Sequence, residues 1–288
     1  MTDKPSITVV IATFNAALTV AAAVESVLSQ DYPELELLIV DGASTDKTLG
    51  LLNSFSDKRM RVISEPDRGI YDAWNKGAKL STSQRILFIG ADDTLNGNAA
   101  ISNFWNRVCL DLANYPIIYG DLIPLDLDGS QIAVLGSEWR SPWSFSGRHL
   151  WSTFNIPIMA TFFDRKTILK IGLFDPTLRI MADIDLVLRV AKTSRPVYVP
   201  GDAVTLMGFG GISTRPEAGK LAVQEAIKIR RNHGLGVYSN LEFLARINQY
   251  KIKFLVSKYL GLKSEKIMIK FLHGLKKFFF TKRNNDIR

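Results

Sequence analysis

Four consecutive apolar residues, Ile86, Leu87, Phe88 and Ile89, run into Gly90, Ala91 and two adjacent carboxylates, Asp92 and Asp93. No other stretch constrains the fold of this chain as strongly. A short apolar run between polar flanks predicts a strand covered on both faces, and such strands belong to largely parallel sheets with helices on either side. Carboxylates just past its end then lie outside the carboxyl edge of the sheet, where open α/β sheets bind ligands. A carboxylate pair suits a hard divalent cation, and that cation suits a phosphorylated ligand. The competing reading has Asp92 or Asp93 capping a helix predicted over residues 98–112.

The surrounding sequence alternates strands and helices. Residues 7–12 (ITVVIA) predict a first core strand, and residues 17–29 a helix with Val20, Val24, Val27 and Leu28 on one face. A second strand over 36–40 ends at Asp41. The turn 42–46 offers Thr45 or Asp46 as cap for a helix reaching Phe55. Residues 60–64 form a third strand, 65–69 a loop and 70–80 a helix that leads into the central strand. This β-α-β-α order predicts a doubly wound, Rossmann-like, mostly parallel sheet flanked by helices. Beyond it the pattern loosens. Strands are expected at 117–119 and 132–135 around an Asp128-Gly129 turn, helices at 166–171 and within 180–191, and a strand at 197–199.

Several classes are excluded or narrowed. The first turn reads ATFNAALT, with neither the G-x-G-x-x-G of a dinucleotide-binding unit nor the G-x-x-x-x-G-K-[ST] of a P-loop. No apolar run approaches the roughly 18 residues of a membrane span. Residues 4–23 faintly imitate a secretory signal, but Asn15 interrupts it and a core strand occupies the same place. Cys109 is the only cysteine, so no intramolecular disulfide forms, which fits the cytoplasm. The formal charge of +8 points to an anionic partner. Nucleic acid is not expected, because no recognition motif accompanies the charge.

Individual residues carry two readings each. Asp41 suits a ribose hydroxyl or base N–H as acceptor, or is a turn residue before Gly42. Asp183 precedes an apolar helical pattern, as a base at a pocket rim or as a helix-start carboxylate, with Asp185 next in line. Trp139, Arg140, Trp143, Arg148, His149 and Trp151 suit sugar stacking or ordinary packing. The glycine-rich stretch 208–214 closes over a ligand or simply links. From residue 217 a helix and then a basic tail follow. Over residues 263–281, Lys266, Lys270, His273 and Lys277 share one helical face, and Met268, Leu272, Leu275 and Phe279 the other. Such a helix fits an anionic membrane surface, or packs on protein.

Together these segments resemble the family 2 glycosyltransferases, of the GT-A fold. The resemblance rests on ITVVIATFNAALTVAAAVESVLSQDYPELELLIVDGASTDKT at 7–48, SEPDRGIYDAWNKGAKLS at 64–81, FIGADD at 88–93 and GLFDPTLRIMADIDLVLR at 172–189. It spans about residues 6–214, and EPDRGIYDAWNKG is similar to members that build bacterial exopolysaccharide of the colanic-acid type.

The resemblance implies a nucleotide-diphosphate sugar as donor. Asp41 would contact its nucleoside, Thr13 and Asn15 would line the nucleotide pocket, and Arg68 would reach the base or a phosphate. Asp92 and Asp93 fall on the family's metal motif, where Mn²⁺ or Mg²⁺ is held against the diphosphate, with Asp92 also touching the donor. Asp183 matches the general base of an inverting transfer to a hydroxyl of a glycan acceptor, expected to be lipid-linked. Three positions depart from the family pattern: Gly90 replaces an Asp, Ala182 a Glu beside the base, and Met159 a His of the acceptor region. The alternatives are an inactive nucleotide-sugar-binding or scaffold member and a sugar-nucleotidyltransferase. The expected organisation is a GT-A domain over 1–215 and a basic helical C-terminal extension over 216–288. The expected location is the cytoplasmic face of the plasma membrane, reached through 263–281, and an oligomer is compatible with all of this.

Overall fold

The computed structural model describes residues 4–109, 111–126, 128–139, 141–143, 156–208 and 218–235. Strands β1 (Ile7–Thr13), β2 (Leu35–Asp41), β3 (Met60–Ser64) and β4 (Arg85–Gly90) pair in parallel in the order β3-β2-β1-β4. The sheet continues through β8 (Thr161–Asp164), β6 (Ile117–Tyr119) and β9 (Val197–Tyr198), with β8 antiparallel to both β4 and β6. A small second sheet joins β5 (Thr94–Leu95), β10 (Thr205–Met207) and β7 (Leu122–Pro124). The mostly parallel sheet flanked by helices is as the sequence predicts, while β8, which joins β4 to β6, was not expected from it.

The strand sequences are apolar almost throughout because both faces are covered. Ile7, Val9 and Ile11 of β1 pack with helices α1 (Val20–Leu28), α2 (Thr48–Leu52) and α4 (Ala100–Arg107). Val10 belongs to the opposite layer, with α3 (Ile70–Leu80), α5 (Arg165–Ile171), α6 (Ala182–Ala191) and α7 (Ala218–Asn232). The period-two alternation of the strand thus divides the core into two layers.

Three local expectations are corrected. α4 ends at Arg107 instead of Leu112: Val108 is extended, and its N–H turns back on the Trp105 carbonyl. Neither Asp92 nor Asp93 caps α4, whose N-cap is Ala99. Residues 132–135 are not a regular strand. Bridges Leu125↔Gln131 and Leu122↔Leu135 leave one extra residue on the second strand, so the ladder bulges. The helix expected from residue 217 is α7, and Ala222, Ala226 and Ile229 place it in the main core. The boundary expected at 215/216, residues 209–214, the side chains of Arg140, Arg148, His149 and Trp151, and the amphipathic stretch 263–281 lie outside the described residues.

The tightest helix–sheet approach is at Gly77 of α3. A Cβ there would stand 2.3 Å from Val10 Cγ1 of β1, a β-branched side chain with nowhere to turn. Gly77→Ala is therefore expected to destabilise the fold by about 1–3 kcal/mol through overpacking. Urea unfolding measures this, and an unchanged midpoint would show that α3 is free to move off the sheet.

Candidate functional site

Strand register gathers the site along one edge of the sheet. Ser64 stands beside Asp41, Asp41 beside Thr13, and Gly90 beside Ala12, so four strands deliver their polar C-terminal residues to one line. Two groupings result, one at the ends of β1–β3 and one past β4.

At the first, Asp41 is fully buried and accepts four hydrogen bonds at 2.5–2.9 Å, from Thr13 Oγ1, Ser44 N, Ser44 Oγ and Ser64 Oγ. Burial alone would raise its carboxyl, but these bonds outweigh burial and hold it below the ordinary carboxylate range. The four bonds fill the acceptor positions of a carboxylate. Asn15 adopts a left-handed φ of 49°, which Asn tolerates. Its N–H donates to Ser44 Oγ and its Oδ1 accepts Thr45 N–H, so it pins the same turn. Arg68 lies in the adjoining loop, its side chain 74% exposed and only loosely paired with Asp72 at 3.4 Å.

At the second, Asp92, Asp93 and Asp183 line one open cavity of about 160 Å³, with Tyr71, Trp74, Met159, Arg179, Met207 and Gly208 among its walls. Asp93 is buried, and its two oxygens accept Gly90 N–H at 2.7 Å and Gly208 N–H at 3.1 Å. Burial first, and then the Asp92 charge, push its carboxyl up to about 7. A Cβ on Gly90 would lie 2.7 Å from Asp92 Oδ1 and 3.1 Å from Asp93 Oδ2, so both carboxylates crowd over the bare glycine. A side chain at this position would have to displace both carboxylates. The crowding also fits a hard cation, which would relieve the repulsion between the two acids. Among the described residues no group of three or more His, Cys, Asp or Glu closes a metal site. A cation bound through one or two carboxylates plus ligand oxygens is the usual arrangement for magnesium.

Asp183, in the first turn of α6, faces the cavity from the other side. The single Tyr71 hydroxyl proton is shared between the Ile180 carbonyl at 2.8 Å and Asp183 Oδ1 at 3.1 Å. Burial pushes the Asp183 carboxyl up to about 6, against bonds from the Ile184 N–H and from Tyr71. Its neighbour Asp185 is committed elsewhere, to Arg189 at 2.8 Å and His233 at 2.9 Å, and is not among the cavity walls.

The structure therefore brings together the three carboxylates expected from the sequence and sets Thr13, Asn15 and Asp41 along the same sheet edge, with Arg68 in a neighbouring loop. Of the aromatic residues, Trp139 packs against the core, and Trp143 donates its ring N–H to the His233 carbonyl. Gly208, the first residue of the glycine-rich stretch, does line the cavity, whereas sequence reasoning missed Tyr71, Arg179 and Glu225. Glu225, on α7, accepts the backbone N–H groups of Arg179, Ile180 and Met181 at 2.6–2.9 Å. Tyr71 lies inside the matched segment at 64–81 and carried a signal; Glu225 carried none, because its partners are about 45 residues away.

Comparison with known proteins gives the family and the fold. The profile described as Glycosyl transferase family 2 matches residues 8–163. A PGL/p-HBAD biosynthesis glycosyltransferase of Mycobacterium bovis is 30% identical over 214 residues, covering 73% of this chain and 79% of the relative. The succinoglycan biosynthesis protein ExoO of Rhizobium meliloti is 31% identical over 134 residues, 46% of this chain and 38% of that protein. Among solved structures, S. aureus TarS 1-349 in complex with UDP-GlcNAc superposes with a TM-score of 0.62 at 16% identity, covering 90% of this chain and 77% of that one. The mannosyltransferase PcManGT from Pyrobaculum calidifontis, in complex with GDP-Man and Mn²⁺, gives 0.59 at 16% identity, with 95% and 76% covered. These likenesses give the fold, which is GT-A. No helix among the described residues is long and apolar enough to cross a membrane.

The Tyr71 hydroxyl stabilises the charged form of Asp183, so its removal should favour the neutral form. Tyr71→Phe is expected to move the Asp183 titration upward from about 6, as followed by carboxyl-carbon NMR. An unchanged or lower midpoint would mean that the hydroxyl serves Ile180 alone.

Proposed function

The chain belongs to glycosyl transferase family 2, and from that premise we propose that it moves a sugar from a nucleotide diphosphate to a glycan hydroxyl with inversion. In this reading Asp92 and Asp93 hold a divalent cation, Mn²⁺ or Mg²⁺, and Asp183 is the general base. The observation that carries it is the single cavity shared by these three carboxylates, with Asp183 poised at about 6. A general base works best when its pKa lies near the working pH, because it is then both ionised and basic enough to take a proton.

The metal, when bound, acts as a Lewis acid on the diphosphate and stabilises the charge of the departing nucleotide. Asp183 removes the proton of the acceptor hydroxyl as that oxygen attacks the anomeric carbon. The bond to the nucleotide breaks on the opposite face, and the anomeric centre inverts. Tyr71 keeps the carboxylate oriented, and Trp74 and Met159 give the acceptor a partly apolar wall. The nucleoside lies along the ends of β1 and β2, lined by Thr13 and Asn15. It reaches Asp41 when one of the hydroxyls of Ser44 or Ser64 turns away, and Arg68, exposed and loosely held, meets the base or a phosphate. Names of relatives in succinoglycan and PGL/p-HBAD biosynthesis support a cell-surface glycan or glycolipid as acceptor. In the same reading residues 1–215 are the catalytic domain and the basic extension 216–288 brings it, through 263–281, to a lipid-linked acceptor at the cytoplasmic face of the membrane. α7, the described part of that extension, is built into the catalytic core.

Nucleotide release from a panel of UDP-, GDP- and dTDP-sugars tests the chemistry. Chelator should abolish it and Mn²⁺ or Mg²⁺ restore it, whereas full activity in excess chelator removes Asp92 and Asp93 from this role. Asp183→Asn should cut turnover by about 10²–10⁴-fold with donor affinity nearly unchanged. The base must be ionised to act, so kcat/KM should fall as pH drops through about 6; a flat profile from pH 5 to 8 would place the base elsewhere. Sedimentation with anionic liposomes tests the tail: the full chain should bind at low salt and lose binding toward 1 M, where the Debye length falls to about 3 Å. A chain ending at Gly261 that partitions like the full chain would end the membrane reading.

A further inference from the structure

We propose that Glu225 is the positioning residue of the base: its carboxylate fixes the N-terminal end of α6 and thereby sets where Asp183 stands. The proposal rests on the reading of Asp183 as general base.

A helix begins with N–H groups that lack intrahelical partners, and a local Ser, Thr, Asp or Asn normally takes one of them. At α6 the N-cap, Met181, makes no side-chain cap bond, and Asp183 itself takes the Ile184 N–H of the first turn. Glu225, from another helix, holds the N-cap N–H and the two peptide N–H groups just before it. Its Oε1 accepts Arg179 N–H at 2.6 Å, and its Oε2 accepts Ile180 and Met181 N–H at 2.9 Å each. The carboxylate is only 6% exposed, and the three bonds come from consecutive residues. Its charge at the helix N-terminus has the favourable sign for the helix dipole.

The same segment is gripped from the other side. The Ile180 carbonyl accepts the Tyr71 hydroxyl, which also reaches Asp183. The Ile180 residue is therefore held at both its N–H and its C=O, by two groups that flank the base. Upstream, Asn75 makes a reciprocal pair with the Phe174 backbone, accepting its N–H and donating to its C=O. Residues 174–181 thus run between fixed points, and the one nearest Asp183 along the chain is Met181, held by Glu225. The Glu225 charge is also felt at Asp183 itself, where it favours the neutral carboxyl. Arg179, the cation among the cavity walls, hangs from the first of the three clamped peptides.

Glu225→Gln replaces an acceptor oxygen by an NH₂ that opposes the backbone N–H groups. It should release 179–181, let Tyr71 and Asp183 drift apart, and lower kcat by about ten-fold or more, since small misplacements of reacting groups are costly. The donor KM should stay within about two- to three-fold, because this carboxylate does not touch the Asp92–Asp93 side. Glu225→Asp keeps the charge one carbon short and should recover part of the loss; it also serves as the variant to read if Glu225→Gln does not fold. The decisive readout is a double-mutant cycle. If Glu225 acts through Asp183, either substitution should cost almost nothing further in an Asp183→Asn background. Equal fold losses in both backgrounds would make Glu225 a structural cap only and overturn the proposal. Normal kcat in the Glu225 variants beside an impaired Asp183→Asn would overturn this proposal alone. Near-normal turnover of Asp183→Asn itself would overturn the base reading, and this inference with it.

Discussion

Everything in this molecule hangs on the parallel pairing of β1 with β2 on one side and β4 on the other. Parallel strands end on the same edge, so the register that sets Thr13 beside Asp41 and Ala12 beside Gly90 also lines up the polar residues that follow. A one-residue slip would exchange the side chains of the two core layers, and the packing on both faces opposes it. The cost of burying so much backbone is met by the sheet's own hydrogen bonds, and the functional groups need only occupy the loops at its edge.

At that edge the electrostatics differ sharply between the two groupings. Asp41 is buried but fully hydrogen-bonded, and it stays charged with its bonds turned inward on Thr13, Ser44 and Ser64. Asp93 is buried beside another carboxylate and rises to about 7. One acid builds a rigid turn, and the other carries repulsion that a bound cation would remove. Asp183 lies between these extremes, desolvated and steadied by the Ile184 N–H and the Tyr71 hydroxyl. Its surroundings come from three separate segments: Tyr71 on α3, the loop 172–181, and Glu225 on α7. Its position depends on these segments as well as on its own helix.

Much of this was legible in the sequence, and the reason is local. The apolar runs of β1, β2 and β4 and the carboxylates past Gly90 are short-range patterns, and the matched segments fixed their order. The readings failed where the local pattern does not decide the outcome. α4 stops where Val108 turns extended, and no periodicity of residues 98–112 reveals that. The stretch 132–135 looks like a strand but carries one residue too many for its partner. Glu225 reads as one charge on an amphipathic helix, and only the fold brings it to the end of α6. Ala182, which removes a carboxylate beside the base in sequence, is buried in the core, while Glu225 restores one in space.

The central claim is that the cavity beside Gly90 holds a metal–nucleotide complex between Asp92, Asp93 and the ends of β1 and β2. Anomalous diffraction at the manganese edge, from crystals grown with Mn²⁺ and a nucleoside diphosphate, tests it most directly. The account expects one manganese peak against Asp92 and Asp93, with the diphosphate on the metal and the nucleoside along Thr13 and Asn15. A nucleotide bound with no metal at these carboxylates, or a manganese peak far from both, would contradict it.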